Sequence, residues 1–153
     1  QTLLDARCWL MPFNDISPED PWFQACQRIG LCGILEGEPV SRGWANGFLF
    51  RPDAKMNKIE FTNSLKKAAG KHINKPISEC SGNFLTLSDA CIIIWDLIGN
   101  PGSEALSYFT ENEAFEAYLM QKPKALDSTL TRAGFAMITD IALKPFQEEL
   151  WIE

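Results

Sequence analysis

Arg42 and Trp44 flank a single glycine in the stretch "SRGWANG", which sets a cation beside an aromatic ring. Such a pair can lie against a sugar ring or a protein surface by stacking and cation–π attraction. Trp22 has the same stacking capacity, although a tryptophan in a helical module also serves as core. Arg132 follows a helix cap, from which it can reach an anionic sugar substituent or extend into solvent. Asp15 can bind a ligand, or accept backbone hydrogen bonds at a turn as aspartates commonly do. Arg42, Trp44, Asp15, Trp22 and Arg132 form the candidate binding set.

Catalytic and metal chemistry have weaker support. His72 is the only histidine, so a Ser/His/Asp triad or a Cys/His pair has a single base to draw on. Cys8, Cys26, Cys32, Cys80 and Cys91 contain no CxxC spacing, and they read as buried, inert thiols. Glu111, Glu113 and Glu116 read as a solvated helix face. No catalytic, cofactor-binding or metal-ligating residue is assigned.

The 153 residues suffice for one domain with a substantial core. A hydrophobic fraction of 46% with 22% charged residues places the chain among ordinary globular proteins. The net charge of -6, with no basic stripe, argues against a nucleic-acid partner. The longest apolar run, around Ala90 to Trp95, is too short for a bilayer span. No stretch reads as a signal peptide, and the chain begins at Gln1 rather than Met, so a processed or excised fragment is expected.

Three segments share one helix-start pattern: "MNKIEFTNSLKKAAG" from Met56, "LTLSDACIIIWDLIG" from Leu85 and "LTRAGFAMITDIALK" from Leu130. Asn57, Thr86 and Thr131 are the predicted N-caps, with Glu60 and Asp89 three residues on. Met56, Leu85 and Leu130 precede the caps, and Phe61, Ala90 and Phe135 stand at staple spacing beyond them. Ala68 and Ala69, Leu97 and Ile98, and Ala142 and Leu143 continue one apolar stripe in each copy. Gly70, Gly99 and Pro145 provide the stops. Helices are therefore expected over Asn57 to Ala69, Thr86 to Ile98 and Thr131 to Lys144. A truncated fourth copy is read in "LLDARCWLMPF" from Leu3, whose Pro12-Phe13 parallels Pro145-Phe146.

The glycines of "FNDISPEDPWFQACQRIGLCGILEG" follow no strand and lack the GxGxxG spacing, so they read as helix stops rather than a phosphate cradle. Ser17 to Trp22 reads as the opening of that helix, with Gly33 at its end. Asn46-Gly47 predicts a two-residue hairpin turn. Glu111 to Met120 reads as a short amphipathic helix, and Lys122 to Ser128 as a loop. The fold expected is mainly α, a bundle of repeated capped helices with a small β-hairpin insertion.

The order Phe13, Asp15-Ile16, Trp22, Ala25, Gly33-Ile34, Gly37 and Phe50-Arg51-Pro52-Asp53, followed by a capped helix, resembles an S-layer homology module. The match covers Phe13 to Gly70, with "LTRAGFAMI" similar to the TRAE helix of a further module and "LTLSDACIII" a weaker third. The resemblance divides a single domain over residues 1–153 into modules at 13–70, 85–99 and 111–146. Asn57-Lys58-Ile59-Glu60 stands where the pattern has TRAE, and Gly134 stands in place of the glutamate after Thr131-Arg132-Ala133. In the resembling modules the TRAE arginine contacts polysaccharide, which implies that role for Arg132.

Trp9-Leu10-Met11-Pro12-Phe13, Asp15, Pro21, Phe23, Gln27-Arg28-Ile29-Gly30, Gly33-Ile34-Leu35, Gly37, Trp44-Ala45-Asn46 and Pro52-Asp53 carry a second resemblance. They are similar to the C-terminal portion of Bacteroidetes-type FAD-dependent oxidoreductases, some described as xanthan lyases. "TRAGFAMITDIALKPF" agrees near the end. The resemblance implies a non-catalytic accessory domain that contacts a catalytic region or glycan, with FAD held by a region upstream and none in this chain. It implies a periplasmic, extracellular or cell-envelope location. The alternative is a cell-envelope polysaccharide anchor of S-layer homology type.

Overall fold

The computed structural model describes residues 13–42, 45–69 and 84–144, leaving aside the side chains of 40–42, 45, 46 and 69. Over these residues the chain is mainly helical with one small antiparallel sheet. Helix α1 spans Phe23–Leu31, and strands β1 (Glu38–Arg42) and β2 (Ala45–Leu49) form the hairpin. Then follow α2 (Lys58–Ala69), α3 (Leu87–Leu97), α4 (Ala105–Thr110), α5 (Glu113–Gln121) and α6 (Arg132–Ala142). Short 3-10 turns at Gly102–Glu104 and Ala125–Asp127 precede α4 and α6. Among the described residues no helix is long and apolar enough to cross a membrane.

The caps act as their side chains dictate. Asn57 Oδ1 accepts from the Glu60 amide at 2.8 Å, Thr86 Oγ1 from Asp89 at 3.1 Å and Thr131 Oγ1 from Gly134 at 3.2 Å. Each satisfies a first-turn amide that the helix itself leaves without a partner. At the other end, Gly33 and Gly99 take φ of +73° and +87°. Their amides bond to Gly30 and Asp96, and the next amides, of Ile34 and Asn100, reach back to Ile29 and Trp95. That paired closure needs a left-handed residue, which glycine adopts without a Cβ clash. Gly70, Pro145 and the segment from Leu3 to Pro12 lie outside the described residues.

The three start segments meet. The Met56 amide donates to the Leu130 carbonyl at 2.9 Å, and the Leu130 amide to the Leu85 carbonyl at 2.8 Å. Isolated bridges pair Lys55 with Thr131, Asn57 with Phe84, and Thr86 with Thr129. Met56, Leu85 and Leu130 are buried at this junction. From it α2, α3 and α6 diverge with Phe61, Ile94 and Ile138 at 1%, 0% and 0% exposure, so the stripe read from sequence is the core. Ile98 departs from it at 37%, because it caps α3 rather than continuing the buried face.

Helix α6 packs against α1, α2 and α3. Its sequence suits that central place: Ala133, Gly134, Phe135, Ala136, Met137, Ile138 and Thr139 are all buried, and the small residues admit close neighbours. A Cβ at Gly134 would stand 3.2 Å from Leu87 Cδ1. Aromatic contacts run from Trp95 through Phe109, Phe115 and Tyr118 to Trp22, tying α3, α4 and α5 to the segment ahead of α1.

Three local expectations are corrected. The first helix begins at Phe23 rather than within Ser17 to Trp22. Asp20 accepts from the Ser17 amide at 2.8 Å and donates its own amide to the Ser17 carbonyl, closing a turn that competes with helix. The hairpin connection lies between Arg42 and Ala45, and Asn46 and Gly47 pair with Ser41 and Val40 inside the ladder. A Cβ at Gly47 would meet the end of the exposed Asn14 side chain, which would have to turn aside. Helix α4 was not read from sequence at all. It is six residues long and depends on packing against α3 and α5 for its formation.

Candidate functional site

Asp15, one of the five candidates, is occupied by the fold. Its Oδ1 accepts from the Phe50 amide at 2.8 Å and its Oδ2 from the Arg51 amide at 2.7 Å. Arg51 has a φ of 58°, a left-handed conformation unusual for a residue with a side chain. Asp15 supports that turn through both carboxylate oxygens. Arg51 also pairs with the exposed Glu38, which lowers the Glu38 carboxyl pKa through the hydrogen bond and the arginine charge.

Arg132 is likewise engaged internally. Nε donates to the Phe50 carbonyl at 2.7 Å and NH2 to the Glu36 carbonyl at 2.7 Å. Glu60 lies 3.8 Å from NH1, and the guanidinium sits 5.1 Å from the centroid of the Phe50 ring. Burial lowers the Arg132 pKa below the usual arginine value, with the Glu60 charge opposing. Glu36 precedes β1 and Phe50 follows β2, so one side chain holds both feet of the hairpin.

Trp22 is core at 8% exposure, with Tyr118 edge-on at 5.8 Å and the Lys122 ammonium 5.5 Å from the ring. Arg42 ends β1 opposite Ala45, and its side chain is outside the description. Trp44 lies outside the described residues, as do Gly43, His72, Cys8 and Cys80. Asp15 and Arg132 therefore meet at the hairpin base, Arg42 stands at its far end, and Trp22 belongs to the aromatic core instead.

Of the described thiols, Cys26 and Cys91 are buried as expected, whereas Cys32 is half-buried. Cys26 is buried and burial pushes its pKa well up, while Cys91 is pushed up to about 12, again by burial. Among the described residues no group of histidine, cysteine and carboxylate side chains is arranged to hold a metal. Glu111, Glu113 and Glu116 are exposed, as expected of a solvated face.

Two concavities were not visible in the sequence. A polar cleft of about 450 Å³ lies between α1, α6 and the start of α5, and holds Asp20, Gln24, Arg28, Glu113 and Asp140. Arg28 NH1 bonds to Asp140 Oδ2 at 2.8 Å, and desolvation nevertheless raises the Asp140 pKa. The pair is separated by 112 positions, so no local pattern announces it. A second cavity of about 370 Å³ lies between α5 and the starts of α3 and α6. It is lined mainly by Leu87, Tyr118, Pro123 and Ala125, with Lys122 and Lys124 beside them. Lys122-Pro123-Lys124, within the segment expected as a loop, contributes to its lining.

In comparison with known proteins, the chain matches no family model, no curated protein and no solved structure.

Proposed function

We propose that the chain is a non-catalytic accessory domain of a larger secreted or periplasmic protein resembling the FAD-dependent oxidoreductases, with an S-layer-homology-like helical bundle. Its working surface is the hairpin, which contacts the catalytic region of the same polypeptide. The carrying observation is the clamp at the hairpin base. Arg132 holds the carbonyls on either side of the two strands, and Asp15 holds the amides of Phe50 and Arg51. The strands themselves pack chiefly on each other rather than on a helix. A ribbon fixed at its base suits presentation to a partner, with Arg42 and Trp44 at the connection as contact residues. Any FAD belongs to the upstream region under this reading.

The meeting of the three start segments supports the S-layer homology likeness, and with it a second reading as a polysaccharide anchor. The accessory role is preferred because the three post-cap positions hold Lys58, Leu87 and Arg132. Leu87 offers no donor, and two donors of Arg132 are directed to the chain's own carbonyls. Calorimetric titration of the chain with the upstream region supplied in trans is the test. Trp44→Ala is expected to leave the melting temperature unchanged and weaken association about tenfold or more. Association indifferent to Trp44, together with tight Arg132-dependent binding of wall polymer, would instead establish the anchor.

A further inference from the structure

We infer that the cavity beside Leu87 is a docking site for an acidic peptide segment, which inserts one apolar side chain and sets a neighbouring carboxylate against Lys124. The inference rests on the reading of the chain as an interaction domain and specifies the chemistry of the partner. Its volume of about 370 Å³ falls within the range of about 300–1,000 Å³ common to ligand sites. Leu87 and Tyr118 are both 2% exposed, so the floor is a rigid part of the core. Leu87 occupies the position that Arg132 holds in α6. There the long guanidinium side chain meets the Phe50 ring and carbonyl, whereas the shorter Leu87 is packed into the floor of the cavity.

Three of the four hydroxyls that line the cavity, those of Tyr118, Ser128 and Thr131, are already engaged. Tyr118 Oη and Thr131 Oγ1 lie 3.3 Å apart, and Thr131 Oγ1 also accepts from the Gly134 amide. Ser128 Oγ donates to the Lys124 carbonyl at 2.6 Å. A saccharide would bring several hydroxyls to a surface with few groups to receive them, and each buried unpaired hydroxyl is costly. An aliphatic or aromatic side chain needs no such partner.

Charge selects what flanks that side chain. The chain is acidic overall at -6, yet this rim carries Lys122 and Lys124. Lys122 pairs with Asp53, whose side chain is 72% exposed, and an exposed pair of that kind is readily exchanged. Lys124 has no ion-pair partner among the described residues. A carboxylate next to the inserted residue would pair with the exposed Lys124, and the acidic excess of the chain would disfavour it elsewhere.

The test is a nuclear magnetic resonance titration of the isotope-labelled 153-residue chain with acetyl-Asp-Phe-Glu-amide. Saturable shifts are expected at the amides of Leu87, Ala125, Ser128 and Thr129. Acetyl-Asp-Ala-Glu-amide and acetyl-Lys-Phe-Lys-amide are expected to bind at least about tenfold more weakly. Ala125→Trp fills the cavity from a half-exposed turn and is expected to abolish the shifts. Lys124→Gln, a change on an exposed side chain, is expected to weaken the acidic peptide about tenfold and leave the neutral analogue acetyl-Gln-Phe-Gln-amide unaffected. The proposal is overturned if the acidic peptide moves no cavity amide, if Ala125→Trp binds it as the unaltered chain does, or if a glucuronate oligosaccharide displaces it. Trans association with the upstream region that is equal for Ala125→Trp removes this docking site and leaves the accessory role standing. Peptide binding at the cavity without any trans association does the reverse.

Discussion

Arg132 Nε and the carbonyl oxygen of Phe50 lie 2.7 Å apart across 82 residues of chain. The contact joins the first turn of the central helix to the end of the hairpin, and the NH2 group of the same side chain reaches Glu36 ahead of the hairpin. An arginine can make both bonds because its donors form a planar fork, whereas lysine presents a point charge.

Arg132→Ala is expected to cost about 2–4 kcal/mol, since it leaves two carbonyls without a charged donor. Arg132→Lys should recover less than half of that loss. Urea unfolding reads both variants, and a midpoint unchanged in Arg132→Ala would remove the clamp from the account of stability.

Phe61 is 1% exposed and meets Phe135 edge-to-face at 5.8 Å, so α2 and α6 are joined through it. Phe61→Ala is expected to cost about 3–5 kcal/mol, from lost transfer energy and the void left behind. Calorimetric melting gives the measurement, and a loss well below this range would mean that the helices repack around the smaller residue.

Gly37 and Gly47 both lie under side chains, with different room to yield. A Cβ at Gly37 would approach Phe13 Cε1 at 2.7 Å and Phe48 Cβ at 2.9 Å, and the latter atom is fixed to the strand. At Gly47 the obstacle is the side chain of Asn14, an exposed residue able to rotate away. Gly37→Ala is therefore expected to cost about 1–3 kcal/mol, and Gly47→Ala less. Equal losses in the two variants would contradict this ranking.

Asp140 has a raised pKa because desolvation outweighs the attraction of Arg28. A carboxyl with its folded pKa above the unfolded value binds more protons in the folded state. Its favourable contribution is thus complete below the unfolded pKa and is lost as pH rises through the folded value. Asp140→Asn removes that dependence, and Arg28 keeps Gln24 as an acceptor at 3.2 Å. The variant is expected to be the more stable protein at pH 7, with the advantage closing as pH falls through the raised folded pKa of Asp140 toward the ordinary aspartate value. Stability measured across that interval tests it, and a variant less stable at pH 7 would show that the ion pair dominates.

The helix starts were readable because a cap is a local device, with Asn57, Thr86 and Thr131 each adjacent in sequence to the amides they serve. The meeting of those starts was not readable, since the Met56–Leu130 bond depends on how three helices pack. The hairpin is legible in the sequence but its turn is not, because Asn46-Gly47 has turn chemistry yet pairs with Ser41 and Val40 inside the ladder. Asp15 and Arg132 have the residue types of a binding site, and their distant partners at Phe50 and Glu36 carry no sequence mark. Trp22 could be read either way until Tyr118 was found against it.

The bonds from Met56 and Leu85 to Leu130 also set an order of events during synthesis. At about 5–20 residues per second, the Met56 segment is made roughly 4–15 s before Leu130 exists to accept its hydrogen bond. Through that interval Phe61 has no Phe135 ring to pack against, and a nascent chain carries that part of the apolar face of α2 uncovered. Chaperone capture is expected to be strongest on chains arrested short of Leu130 and to fall once α6 has cleared the ribosome. Helix α6, the last of the described helices, is the one that releases the earlier ones from quality control.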